Sequence, residues 1–121
     1  MRVGCDVVAL EEIENSLAQF GDRYLNRVFT AAELADCAGP KSLQRLAARF
    51  AAKEAVIKVF AEPAAAFPFF EIEVARSGAT PVVKLTGTTA RRAADQGWIE
   101  TSLSLSHADC HAMAVVVVLC R

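Results

Sequence analysis

The chain has 121 residues, 54% of them hydrophobic, with 13 basic and 14 acidic groups for a formal net charge of −1. That length predicts one domain around one core, and the apolar share is high enough to favour oligomerisation. The charge balance argues against a protein that coats nucleic acid, and the longest apolar run, "AMAVVVVLC", falls far short of the roughly 20 residues a membrane helix needs.

In chain order, residues 2 to 9 are apolar and partly β-branched and predict an opening strand, with Asp6 inside it. Leu10, Ile13, Leu17 and Phe20 recur at helical spacing, and Gly21 closes that helix. Asp22 is placed to cap a short helix containing Tyr24, Leu25 and Val28. "TAAE" then reads as a capping box, with Thr30 at the N-cap and Glu33 at N3. After Gly39-Pro40, Ser42 is placed to cap a long helix from about Leu43 to Phe60. "FFEIEVAR" predicts a strand with Phe70, Ile72 and Val74 on one face. "SGATP" is a turn, and "VVKLTG" a further strand. Thr88 to Gln96 predicts a helix. "TSLSLSH" and the valine run predict a closing hairpin. The expectation is one α+β domain spanning residues 1–121, its helices packed on a mainly antiparallel sheet.

The cysteines, Cys5, Cys37, Cys110 and Cys120, form no CxxC pair. With an N-terminus too short and too soon acidic for a signal sequence, they fit free thiols in a reducing cytosol. The nearest approach to a zinc set is "HADCH". If it is a strand, alternation splits His107 and His111 from Cys110.

The chemistry-bearing residues lie in three places. Asp6 sits in an apolar strand, where an acid is costly to bury without a partner and otherwise occupies an exposed face. In the long helix Lys53 falls inside the apolar stripe of Leu46, Phe50, Ile57 and Phe60, so its ammonium must snorkel out or meet an anion. Glu54 and Lys58 flank that stripe; by themselves they read as an i,i+4 surface pair worth ~0.3–0.5 kcal/mol. Arg49 points roughly 140° away from Glu54 by helical arithmetic. His107 ends a strand, where a histidine is ordinarily a satisfied polar residue. No GxSxG elbow and no Gly-rich phosphate loop is present. Two carboxylates with several cations suggest a hard divalent metal and a phosphorylated ligand.

"VGCDVVALEEIE", "RVFTAAEL", "ARFAAKEAVIKVF" and "SLSLSHADCHAMAVVVV" occur in an order and spacing that resemble the holo-acyl-carrier-protein synthases, small bacterial 4′-phosphopantetheinyl transferases. The resemblance covers nearly the whole chain, and its most specific part is "FAAKEAVIK". It implies Mg²⁺-dependent transfer of phosphopantetheine from coenzyme A to a serine of an apo-acyl carrier protein, in the cytoplasm, by a homotrimer with active sites between subunits. By match of motif, it implies Asp6 and Glu54 as metal ligands and Lys58 as a lysine near the phosphates. Arg49 and His107 resemble positions on the 3′-phosphate, and Lys53 matches the motif lysine on the cofactor side. Many relatives carry a basic residue at the position of Glu12, so the resemblance implies either carrier docking that relies more on Arg23 and Arg27 or a partner less acidic than usual. Pro63, lacking an N–H, stands where relatives are Gly-rich. The alternative is a non-catalytic module of the same fold that binds coenzyme A or a carrier.

Overall fold

Two antiparallel sheets flank one long helix in the computed structural model, which describes residues 1–121. The elements run β1 (Arg2–Ala9), α1 (Leu10–Phe20), α2 (Asp22–Val28), α3 (Ala31–Asp36) and α4 (Ser42–Phe60). A 3₁₀ turn (Phe69–Glu71), β2 (Ile72–Ser77), β3 (Thr80–Leu85), α5 (Gly87–Asp95), β4 (Trp98–His107) and β5 (His111–Cys120) follow. The predicted α+β class and every predicted helix and strand are present, with small shifts at their ends.

β5 is the central strand of a three-stranded sheet ordered β1-β5-β4, and β2 pairs with β3. The valine run explains that central place: Val116 and Val118 are fully buried, and β-branched side chains suit a pleated surface packed on a neighbour. The register sets Cys5 opposite Val115 and Leu103 opposite Val116. Alternation therefore sends Gly4, Asp6 and Val8 of β1 toward α4, and Val3, Cys5 and Val7 to the opposite face.

Of the three expected helix caps, the Thr30 capping box forms as predicted. Thr30 accepts from the Glu33 N–H, and Glu33 accepts from the Thr30 N–H, completing the capping box. Two caps differ. Gly21, not Asp22, is the N-cap of α2, and Lys41 rather than Ser42 precedes α4. Phe70 also departs: a 3₁₀ turn replaces the first residues of the predicted strand, and its side chain is exposed while Ile72 and Val74 are buried. His107 and His111 lie across the β4–β5 turn rather than along one strand.

α4 is enclosed on more than one side. Alanines 48, 51, 52 and 55 and Val59 are buried along it, so it lies close to the sheet. A Cβ built on Gly4 would come 2.0 Å from the Ala55 carbonyl oxygen and 2.8 Å from Val59 Cγ2. Only glycine permits this approach of β1 to the helix backbone. It brings Asp6, two residues on, beside the helix turn that carries Glu54 and Lys58.

Candidate active site

Lys58 Nζ donates to Asp6 Oδ1 at 2.9 Å and to the Cys5 carbonyl at 2.9 Å. The Asp6 side chain is 16% exposed, and that of Lys58 is 55% exposed. Glu54, one helical turn before Lys58, is half-buried. Its carboxyl is pushed above the usual carboxylate range, first by burial and then by the charge of Asp6, with Lys58 pulling it back. The fold thus presents two acids that repel each other and one ammonium to offset them. The i,i+4 partner expected for Lys58 was Glu54; its hydrogen bond runs to Asp6, on the strand opposite.

Lys53 corrects an expectation. Its ammonium is fully buried and meets its anion within the protein: Glu33 Oε1 at 2.7 Å, with the carbonyls of Phe69 and Ile72 as further acceptors. Glu33 also accepts from the Val74 N–H. The pair fastens α3 and β2 to α4, and no side of Lys53 is left for a cofactor. Burial lowers its pKa against the pull of Glu33, which raises it.

Arg49 and His107 meet at one cavity. Both line a cavity of about 480 Å³ with Lys41, Arg45 and Arg76, between α4, the β2–β3 turn and the end of β4. Arg49 is 97% buried by its 3% relative exposure, yet poorly satisfied. Its Nη1 reaches the Arg45 carbonyl at 3.5 Å, its Nη2 lies 3.9 Å from Asp36, and its Nε has no partner. Unspent donors on a desolvated guanidinium, among three more cations and a histidine, suit a phosphate. Neither Asp6, Glu54 nor Lys58 lines this cavity, in keeping with the helical angle of Arg49. Arg23 and Arg27 border a second concavity with Phe20 and Tyr24, where an exposed aromatic stands beside two guanidinium groups.

Residues 2–116 match the family model described as the 4′-phosphopantetheinyl transferase superfamily. The chain belongs to that superfamily. It is 42% identical to the holo-[acyl-carrier-protein] synthase of Dehalococcoides mccartyi, over 94% of each chain, and 40% identical to that of Leptospira biflexa, over 97% of this chain and 94% of the relative. Among solved structures it resembles the Helicobacter pylori holo-[acyl-carrier-protein] synthase in complex with coenzyme A, with a TM-score of 0.84 and 27% identity over 97% and 99% of the two chains. It also resembles the Chronobacterium ammoniagenes complex with coenzyme A, with a TM-score of 0.86 and 27% identity over 99% and 97%. The chain is an enzyme of the holo-acyl-carrier-protein synthase kind.

Sequence reasoning about this transferase missed Gly4, Glu33, Arg45 and Arg76. A glycine two residues before an acid in a β-branched strand was a legible sign of close backbone approach. Arg45 was legible too: it precedes Arg49 by four residues and so lies on the same helix face. Nothing local marks Arg76, which reaches the cavity only because the β2–β3 turn folds over α4.

Proposed function

We propose that this phosphopantetheinyl transferase moves the 4′-phosphopantetheine group of coenzyme A onto a serine of an apo-acyl carrier protein, releasing adenosine 3′,5′-bisphosphate. The observation that carries the reading is the Asp6–Glu54 pair, half-buried, mutually repelling and answered by Lys58. Its donors fit Mg²⁺, which takes one or two carboxylates and completes its shell with water and phosphate oxygens. With two carboxylates in reach and no group of three or more candidate ligands, the rest of the shell would fall to water and substrate oxygens. Bound there, Mg²⁺ would withdraw charge from the phosphate under attack and from the leaving oxygen.

The chain's own residues position and neutralise. Asp6 and Glu54 hold the metal, and Lys58 faces the phosphates. Arg49, with His107, takes the 3′-phosphate in the basic cavity. The nucleophile belongs to the carrier, which accounts for a chain without a nucleophile elbow. Phe20, Arg23 and Arg27 offer the carrier an apolar contact between cations, suited to an acidic helix. Glu12 is exposed; burial first, and then the charges of Glu12 and Glu54, push the nearby Tyr24 hydroxyl up to about 12. Glu12 adds repulsion on that side and leaves docking to the two arginines.

The working unit in this reading is a homotrimer. Val3 is 64% exposed and Val7 59%, with Met113 beside them on the outer sheet face. A soluble chain covers such a face. The metal acids and the basic cavity are separate on one chain, and a neighbour's cavity would complete the site. The cytoplasm, where the free thiols of the four cysteines persist, is its proposed setting.

The test is to incubate the protein with coenzyme A, Mg²⁺ and a panel of apo carriers and weigh the carriers. A gain of the phosphopantetheine mass is expected, lost with Glu54→Ala while the far-UV circular dichroism is kept. No gain on any carrier overturns the reading; binding of coenzyme A without turnover would favour the non-catalytic module.

A further inference from the structure

This inference rests on the reading of Asp6 and Glu54 as the metal pair and concerns what Lys58 does there. Its ammonium is held at two points of β1, the Cys5 carbonyl and Asp6 Oδ1, both at 2.9 Å. Asp6 is strongly sheltered and Lys58 is mostly exposed. The lysine stem therefore has room to swing outward, while the aspartate stays where the Gly4 contact puts it. A divalent ion on Asp6 and the Lys58 ammonium draw on the same carboxylate, and the two cations repel each other. Charge drawn from Asp6 by the metal, together with the repulsion between the two cations, weakens the hold of Lys58 on Oδ1.

We propose that Lys58 is a placeholder cation: it offsets the Asp6–Glu54 pair until the metal arrives, then gives up Asp6 and turns to a phosphate oxygen of coenzyme A. Two consequences follow. Without coenzyme A, Lys58 weakens metal binding, because its charge repels the ion and its hydrogen bond competes for the charge of Asp6. With coenzyme A, the displaced ammonium has a new anion, so metal and coenzyme A strengthen each other's binding, equally in both directions. Lys58 is thereby a device that discourages metal loading ahead of the substrate, distinct from any contribution it makes to the transfer step.

Binding of Mn²⁺, followed by electron paramagnetic resonance, tests this on wild type, Lys58→Met and Lys58→Arg, each with and without coenzyme A. Lys58 lies on the surface, so the variants should fold, and far-UV circular dichroism checks that they do. In the absence of coenzyme A, Lys58→Met should bind Mn²⁺ roughly two- to tenfold more tightly than wild type, the size expected for removing one exposed cation and its ion pair. Lys58→Arg, which keeps the charge, should stay near the wild-type value. The factor by which coenzyme A tightens Mn²⁺ should be smaller in Lys58→Met than in wild type. Unchanged or weaker Mn²⁺ binding by Lys58→Met overturns the placeholder role and leaves the metal pair standing. Mn²⁺ binding that is absent from wild type both with and without coenzyme A overturns the metal pair and this inference together.

Discussion

Lys53 and Glu33 place two full charges where no water reaches, and each is kept there by the other. Removing one partner from such a pair leaves an uncompensated buried charge, which costs about 3–5 kcal/mol. Lys53→Met should therefore lose about that much stability in urea unfolding. Adding Glu33→Gln should restore part of it, because glutamine keeps the capping box and sheds the stranded charge, while its NH₂ gives up the bond from the Val74 N–H. A double variant no more stable than Lys53→Met would refute the ion pair as the cause. The capping-box role of Glu33 was legible from "TAAE". Its second role was not, since its partner lies 20 positions away on another helix.

α4 is set by what touches it from each side. Gly4→Ala drives a Cβ into the Ala55 carbonyl, a backbone atom that no rotamer change can clear. Overpacking of that kind costs about 1–3 kcal/mol, and here it also pushes Asp6 away from Glu54. The expected outcome is a lower melting temperature and a loss of transfer larger than the loss of fold; a fully active Gly4→Ala would contradict the close-approach argument. Glu71, from the turn before β2, caps α5. It accepts from the N–H and hydroxyl groups of both Thr88 and Thr89, with Gly87 at φ 59° leaving room for its carboxylate. Those bonds, that of Thr88 first, hold its pKa at about 2 rather than the ordinary 4.5. The carboxylate form is the one the fold favours. Its contribution is present above pH 4.5 and is lost as pH falls toward about 2. Glu71→Gln should flatten the fall of melting temperature across that window, and an unaltered slope would discount the cap.

At the scale of the whole molecule, the two halves of the proposed site test each other. Asp6→Ala and His107→Ala should each be inactive or severely impaired as pure proteins. If sites span two subunits, unfolding and refolding the two together should restore roughly a quarter of wild-type activity, because random mixing leaves that share of interfaces intact. Activity no greater than that of the separate variants would place the whole site within one chain. The outer sheet face was legible only in outline: a high apolar fraction favoured association, but which strand faces stay uncovered depends on the β1-β5-β4 order.

By itself the sequence determined the elements, the fold class and the family. Caps, turns and apolar periodicity act within a few residues, and the motifs "GCD" and "FAAKEAVIK" are contiguous. The tertiary structure alone decided which charges meet. Lys53 and Lys58 stand five positions apart on one helix; the first was short of an anion, and the second read as the partner of Glu54. The first faces α3 and β2 and is neutralised by the core; the second faces β1 and is left at the acids. An ion pair forms between groups that the chain brings together from far apart, so the same residue type becomes a structural pin on one face of α4 and a working group on another.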